Sequence, residues 1–312
     1  MHPAFSVIFL TTLIGVGQGL FLALYAAEVA TALGWVAAAD ARFFVVGCVI
    51  AVVFLVAGLI ASFFHLGRPE RAWRAVAMWR TSWLSREVIV LPAFIGAVFV
   101  YGALHYAGED GTLAWGAVGV VLCIALFVCT GMIYACIRFL QEWASPLTIA
   151  NFTLLGCASG VTLASAYAVF TAPELLRAYV STALVLTGIA LVTRGASLVR
   201  NARIKPKSTL QTAIGVKHPT IAQKSQGFMG GSFNTREFFH GRPDAVVRAV
   251  KWSFLVLVFP VPAALLIGGA LADDATLVVT AFLAQYAGLI AERWFFFAQA
   301  NHPQNLYYQA IS

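Results

Sequence analysis

Charge is what this sequence has least of. Lys, Arg, Asp and Glu make up 11% of its 312 residues while 61% are hydrophobic, and a soluble domain carries roughly 25% charged residues. That excludes a soluble globular chain. Cysteine is also scarce: Cys48, Cys123, Cys129, Cys136 and Cys157 all fall within apolar runs and form no Cys-x-x-Cys pair. The usual iron–sulfur and zinc spacings are thereby excluded, no metal site is expected, and the thiols read as buried apolar side chains. Apolar/polar alternation is missing from runs such as Val88 to Val100, so a closed β-barrel is excluded. The opening MHPAFSVIFL has no basic residue ahead of its apolar run, and that run is too long for a signal sequence; it reads as the first membrane helix.

What is present is a set of eight apolar runs, at approximately 4–33, 42–65, 86–107, 113–140, 148–171, 176–199, 249–271 and 275–298. Each crosses about 30 Å of hydrocarbon at about 1.5 Å per residue, and there only a helix satisfies its own backbone. The expected fold is all-α and polytopic, a single integral membrane domain over 1–312. Eight transmembrane helices would form two four-helix bundles, divided near residues 145–150. With eight spans both termini share one side. Arg42 and Arg177 fall on the other, leaving 18 of the 20 Lys and Arg with the termini, which makes the terminal side cytoplasmic. The opposite side carries Asp40, Glu109, Asp110, Glu174, Asp273 and Asp274.

The one long connection, 200–248, is basic and lies on the cytoplasmic side. It mixes glycine with aromatics in GFMGGSF and REFFHG, which suits docking of a protein; contact with anionic lipid and disorder are the plainer readings. The first span carries IGVGQGL. The Gly15 to Gly19 spacing is the small-xxx-small pattern that admits a second helix closely, and Gln18 is an embedded polar group suited to lining a cavity.

Ionisable residues at membrane depth are costly, so their grouping is the strongest functional signal here. On the cytoplasmic side four helix ends bring charge to one level: His65, then Arg86 and Glu87, then Arg138 and Glu142, then Glu292 and Arg293. Each has a plain reading. Arg138 and Glu142 pair four apart on a helix; Glu87 follows an N-cap at Ser85 and meets the helix dipole; Trp73, Trp79 and Trp83 form an interfacial belt. Together they say more. His65 and Glu87 bracket one connection, so an imidazole and a carboxylate can reach one pocket, suited to proton exchange with a two-electron, two-proton carrier such as a quinol. Gly67 and Pro69 would turn the chain away there. A bis-histidine haem is not expected, because His65 and His105, the two histidines at span ends, lie on opposite sides.

The sequences MHPAFSVIFLTTL, FFHLGRPERAWRA, TSWLSREV, MIYACIRFLQEW and NTREFFHG resemble the anchor subunits of the dimethyl sulfoxide reductase family over nearly the whole chain. The resemblance implies a haem-free, quinone-binding anchor in the bacterial inner membrane. It would hold an iron–sulfur subunit and a molybdenum bis-pterin catalytic subunit, with no nucleic-acid partner. It further implies that His65, Gly67, Arg71 and Glu87 stand at the family's quinol-binding positions, with His65 and Glu87 exchanging protons and Arg71, Trp73 and Arg86 orienting the pocket or partner. Arg68, Arg86 and Trp73 depart from the family pattern, which leaves ubiquinone or menaquinone, and the direction of electron flow, open. The long 200–248 loop is more like the anchor of the related sulfite-oxidising complexes, whose catalytic subunits face the cytoplasm, so sulfite oxidation coupled to quinone reduction is the leading expectation. The rivals are a menaquinol-oxidising anchor, a purely structural tether, and a secondary transporter, for which Gly-broken spans would also serve.

Overall fold

The computed structural model describes residues 1–222, 224, 238–303 and 305. Among them there is no strand. The helices are α1 (Phe5–Ala32), α2 (Ala41–Phe63), α3 (Trp83–Ala107), α4 (Thr112–Ala135), α5 (Pro146–Thr171), α6 (Pro173–Ala202), the short α7 (Leu210–Ile214), α8 (Asp244–Val258), α9 (Pro260–Ala272) and α10 (Ala275–Ala298), with a 3-10 helix at Pro69–Met78. Among the described residues, eight segments are long and apolar enough to cross a membrane, α8 and α9 counting together as the seventh.

Four of the described spans start where a side chain receives a free N–H group of the first turn. Asp40 Oδ1 accepts from the Arg42 amide at 2.9 Å and Asp274 Oδ1 from Thr276 at 2.7 Å; Ser82 and Ser145 do the same for α3 and α5. Such caps are worth about 1 kcal/mol each. Glu174 lies in the first turn of α6, where a carboxylate meets the positive end of the helix dipole. Several acids of the non-basic side are thus helix starters.

Each half of the chain closes on itself. In the first, α1 packs on α2, α2 on α3, α3 on α4 and α4 back on α1; in the second, α5 packs on α6, α6 on α9, α9 and α8 on α10, and α10 on α5. The two four-helix bundles meet along a seam of α1 against α5. A Cβ placed on Gly160 would collide with the backbone of Gly19, and one on Gly19 with the backbone of Gly156. The IGVGQGL glycines are therefore packing residues, as their spacing predicted. Gly160→Leu is expected to force the bundles apart and destabilise the subunit by at least about 1–3 kcal/mol, read as a lowered Tm of the detergent-solubilised protein; an unchanged Tm would mean that the seam is loose.

The seventh span breaks at Phe259 because Pro260 and Pro262 supply no N–H. Pro262 deprives the Val258 carbonyl of its helical donor, and Gln285 Nε2 on α10 replaces it at 3.3 Å while also donating to Thr187 Oγ1 at 3.3 Å.

Four expectations need correction. α4 ends at Ala135 rather than near 140, since residues 136–144 form turns that carry Leu140 and Trp143 into the core. Cys136 is consequently exposed just past the helix end, not buried within a span. Arg138 and Glu142 do not share a helix: Arg138 is exposed, and Glu142 instead accepts from Asn201 at its backbone carbonyl and from Asn301 at its carboxylate. Finally, the cap of α3 is Ser82, not Ser85, which puts Glu87 beyond the first turn. Of the long loop, GFMGGSF with Arg236 and Glu237 lies outside the described residues. Phe238 stacks on His302 at 3.8 Å, and His240 faces Trp294 at 6.5 Å, both at the end of α10.

Candidate functional site

Glu87 sits one turn into α3 and is turned inward, 6% exposed. The run around it is apolar, so helix geometry places this one carboxylate on the face that α3 presents to the bundle. Thr130 on α4 donates its hydroxyl to Glu87 Oε1. The two line a small cleft shared with Thr11, Gln18, Phe127 and Phe152. It has room for about one water, so a ring compound would sit at its mouth rather than inside. Gln18 donates to the Cys123 carbonyl at 2.9 Å, which fixes its amide at the cleft wall. The expected cavity-lining role of Gln18 is met.

His65 does not share this cleft. It lies in the turn two residues past α2, exposed at the same membrane face, and partial desolvation holds its pKa below the usual histidine value. Its imidazole is thus mostly neutral at pH 7 and able to accept a proton. Gly67, Arg71 and Trp73 are exposed with it: Arg71 reaches Glu70 at 3.9 Å, Arg74 lies over the Trp73 ring at 5.5 Å, and a Cβ at residue 67 would meet nothing within 4 Å. Arg86 turns back on its own connection. Its Nε donates to the Trp79 carbonyl at 2.9 Å, its Nη2 to the Arg80 carbonyl at 2.8 Å, and its guanidinium covers the Trp83 ring at 4.2 Å. These contacts tie the turn that follows the Pro69–Met78 helix to the start of α3. The expected set thus divides into a buried carboxylate with a cleft and an exposed group carrying His65 and the arginines.

Two polar clusters centre on charges that the sequence does not tie to their partners, Glu28 and Arg194. On the opposite face Glu28 accepts from Tyr101 at 2.6 Å and from Thr112, with His105 Nε2 3.6 Å away and the His105 ring stacked on Phe44 at 4.4 Å. Toward the side of the chain termini Arg194 joins Glu292 and Arg293. Each announced itself as a charge within an apolar run, a standard mark of function or pairing in membranes. Among the described residues, no three His, Cys, Asp or Glu side chains converge to hold a metal ion.

The family profile for the DMSO reductase anchor subunit (DmsC) matches residues 1–298. A sulfite dehydrogenase subunit of Allochromatium vinosum is 53% identical over 325 aligned positions, covering 100% of both chains. Eight packed spans and a match along nearly the full length agree: the chain belongs to the DMSO reductase anchor subunit family and is the membrane anchor of an oxidoreductase complex.

Proposed function

We propose that this subunit passes electrons between an iron–sulfur partner and a quinone bound at the mouth of the Glu87 cleft, in the direction of sulfite oxidation and quinone reduction. The observation that carries the reading is Glu87: a carboxylate buried in a membrane protein, hydrogen-bonded by Thr130 and opening on a cleft. Such a group is expensive unless it works. Reducing a quinone to a quinol takes two electrons and two protons. The electrons come from the partner's cluster, and the molybdenum subunit behind it supplies the substrate chemistry. Glu87 delivers a proton to the ring oxygen, and His65, at the aqueous edge, takes up protons from the cytoplasm and passes them inward. Phe127 and Phe152 flank the ring, while Arg71 and Arg86 shape the cationic surface on which the partner sits.

The 18 basic residues on the terminal side support a cytoplasmic placement of that surface. It fits a bacterial inner-membrane anchor with both termini in the cytoplasm. The full-length likeness to a sulfite dehydrogenase subunit supports the direction, whereas the DMSO reductase family description supports the reverse flow, from quinol to substrate. Membranes holding the whole complex distinguish the two: sulfite-dependent quinone reduction is expected, and its absence alongside quinol-dependent sulfoxide reduction would reverse the assignment. In the same membranes His65→Asn is expected to slow quinone-coupled turnover roughly tenfold, the worth of one strong hydrogen bond, with artificial-dye activity intact. Full quinone-coupled turnover in that variant would remove His65 from the path.

A further inference from the structure

The cleft has a charged neighbour that the quinone reading leaves unused. Arg194 on α6 and Glu292 and Arg293 on α10 form an ion triad inside the second bundle. Arg194 Nε lies 2.7 Å from Glu292 Oε1, and Arg293 Nη1 lies 3.0 Å from Glu292 Oε2. The three side chains are 1%, 0% and 3% exposed. One carboxylate thus faces two guanidinium groups, and the triad keeps a net positive charge out of water. Arg194 Nη2 has no hydrogen-bond partner. A buried ionic cluster is weak evidence of a role in stability, since well-packed apolar side chains of the same volume often do as well or better.

The excess charge borders the cleft. The guanidinium carbon of Arg293 lies 3.6 Å from the centre of the Phe152 ring, and Phe152 is a wall of the cleft. Tyr134 stacks on Phe152 at 5.3 Å, and Phe296 closes on it edge-on at 5.4 Å. An aromatic wall therefore separates the cation from the cleft, and a medium of this kind screens charge far less than water does. Facing it across the cleft are Glu87 and the neutral polar groups of Thr11, Gln18 and Thr130.

We propose that the Arg194–Glu292–Arg293 triad biases the cleft toward ring ligands that carry an anionic oxygen, with Arg293 a positioning residue that acts through Phe152 rather than by touching the ligand. The inference rests on the quinone reading and narrows the ligand class. It also gives the buried excess charge a use, because electron uptake by a quinone places negative charge on its oxygens.

Two probes of similar ring size test it on the intact purified complex: 2-hydroxy-1,4-naphthoquinone, an anion at pH 7, and uncharged menadione. Arg293→Met removes the net charge, Glu292→Gln raises it to two, and Arg293→Lys preserves it. The ratio of anion affinity to neutral affinity is expected to fall about tenfold in the first, rise about tenfold in the second and stay within about threefold in the third, the scale of one unit charge acting over about 10 Å of protein. Opposite shifts are something a merely structural role does not produce, since distortion weakens both probes in every variant. A ratio that moves the same way in both charge-changing variants, or not at all, overturns the electrostatic role and leaves the quinone reading standing. If Glu292→Gln does not fold, Arg293→Met against Arg293→Lys decides alone. Failure of the unaltered complex to bind either probe overturns the quinone reading and this inference with it.

Discussion

Glu87→Gln is expected to lower quinone-coupled turnover by about 10²- to 10⁴-fold, the usual worth of a positioned proton-transfer group, while the partner subunits keep their activity with an artificial dye. The substitution is nearly isosteric. Its side-chain carbonyl still accepts the Thr130 hydroxyl that Glu87 accepts now, so the cleft keeps its shape and loses only the exchangeable proton. The melting temperature should therefore hold, because a buried neutral amide is no harder to enclose than a carboxylate. Steady-state rates with quinone and with dye, measured on the same membranes, separate the outcomes. If both fall together, the residue supports assembly and not proton transfer. If neither falls, the cleft is not the quinone site. Thr130→Val sharpens the comparison, since it removes the hydrogen bond but keeps the acid; a smaller loss in quinone turnover is expected from it than from Glu87→Gln.

The largest stability effect is expected from Glu292→Ala. It would leave Arg194 and Arg293 enclosed and mutually repelling with no carboxylate between them, at a cost of about 3–5 kcal/mol. Replacing all three with Met should instead be neutral or stabilising by up to about 4 kcal/mol, because the desolvation cost of every member disappears together. Thermal unfolding of the two variants in detergent gives the answer. A triple variant as unstable as the single one would mean that the triad itself holds α6 to α10, and the aromatic packing of Phe254 and Phe295 around Arg194 would then be the weaker partner.

Much of this architecture was legible in the sequence, and the failures have physical causes. The eight spans could be found because a bilayer imposes one length and one polarity on every crossing. Hydropathy overruns the end of α4 because Ile137, Phe139 and Leu140 continue the apolar run; Leu140 serves the core from a turn, which hydropathy cannot distinguish from a helix. Glu87 stood out as an acid in an apolar setting, and the structure encloses it. His65 and Glu87 flank one connection, and the sequence alone therefore brings them together. That connection folds into a 3-10 helix pinned by Arg86, and it leaves His65 at the surface. Arg194 was visible as the charge in ALVTRGASLV, but its partner lies nearly a hundred residues away, and long-range pairing of this kind leaves no local spacing to read. The same holds for Glu28 with Tyr101 and Thr112.

The glycine seam between α1 and α5 also constrains how the protein is made. Ribosomes deliver α1 early, with a flattened stripe cut to fit a helix that does not yet exist. At roughly 5–20 residues per second, on the order of ten seconds pass before Gly160 arrives to cover Gly19. During that interval the first bundle is incomplete along one side, and whatever shields the stripe, lipid or an insertion chaperone, must release it when α5 emerges. A bulky residue at Gly19 would spoil the final seam and also remove the docking face for the second half of the chain as it leaves the translocon.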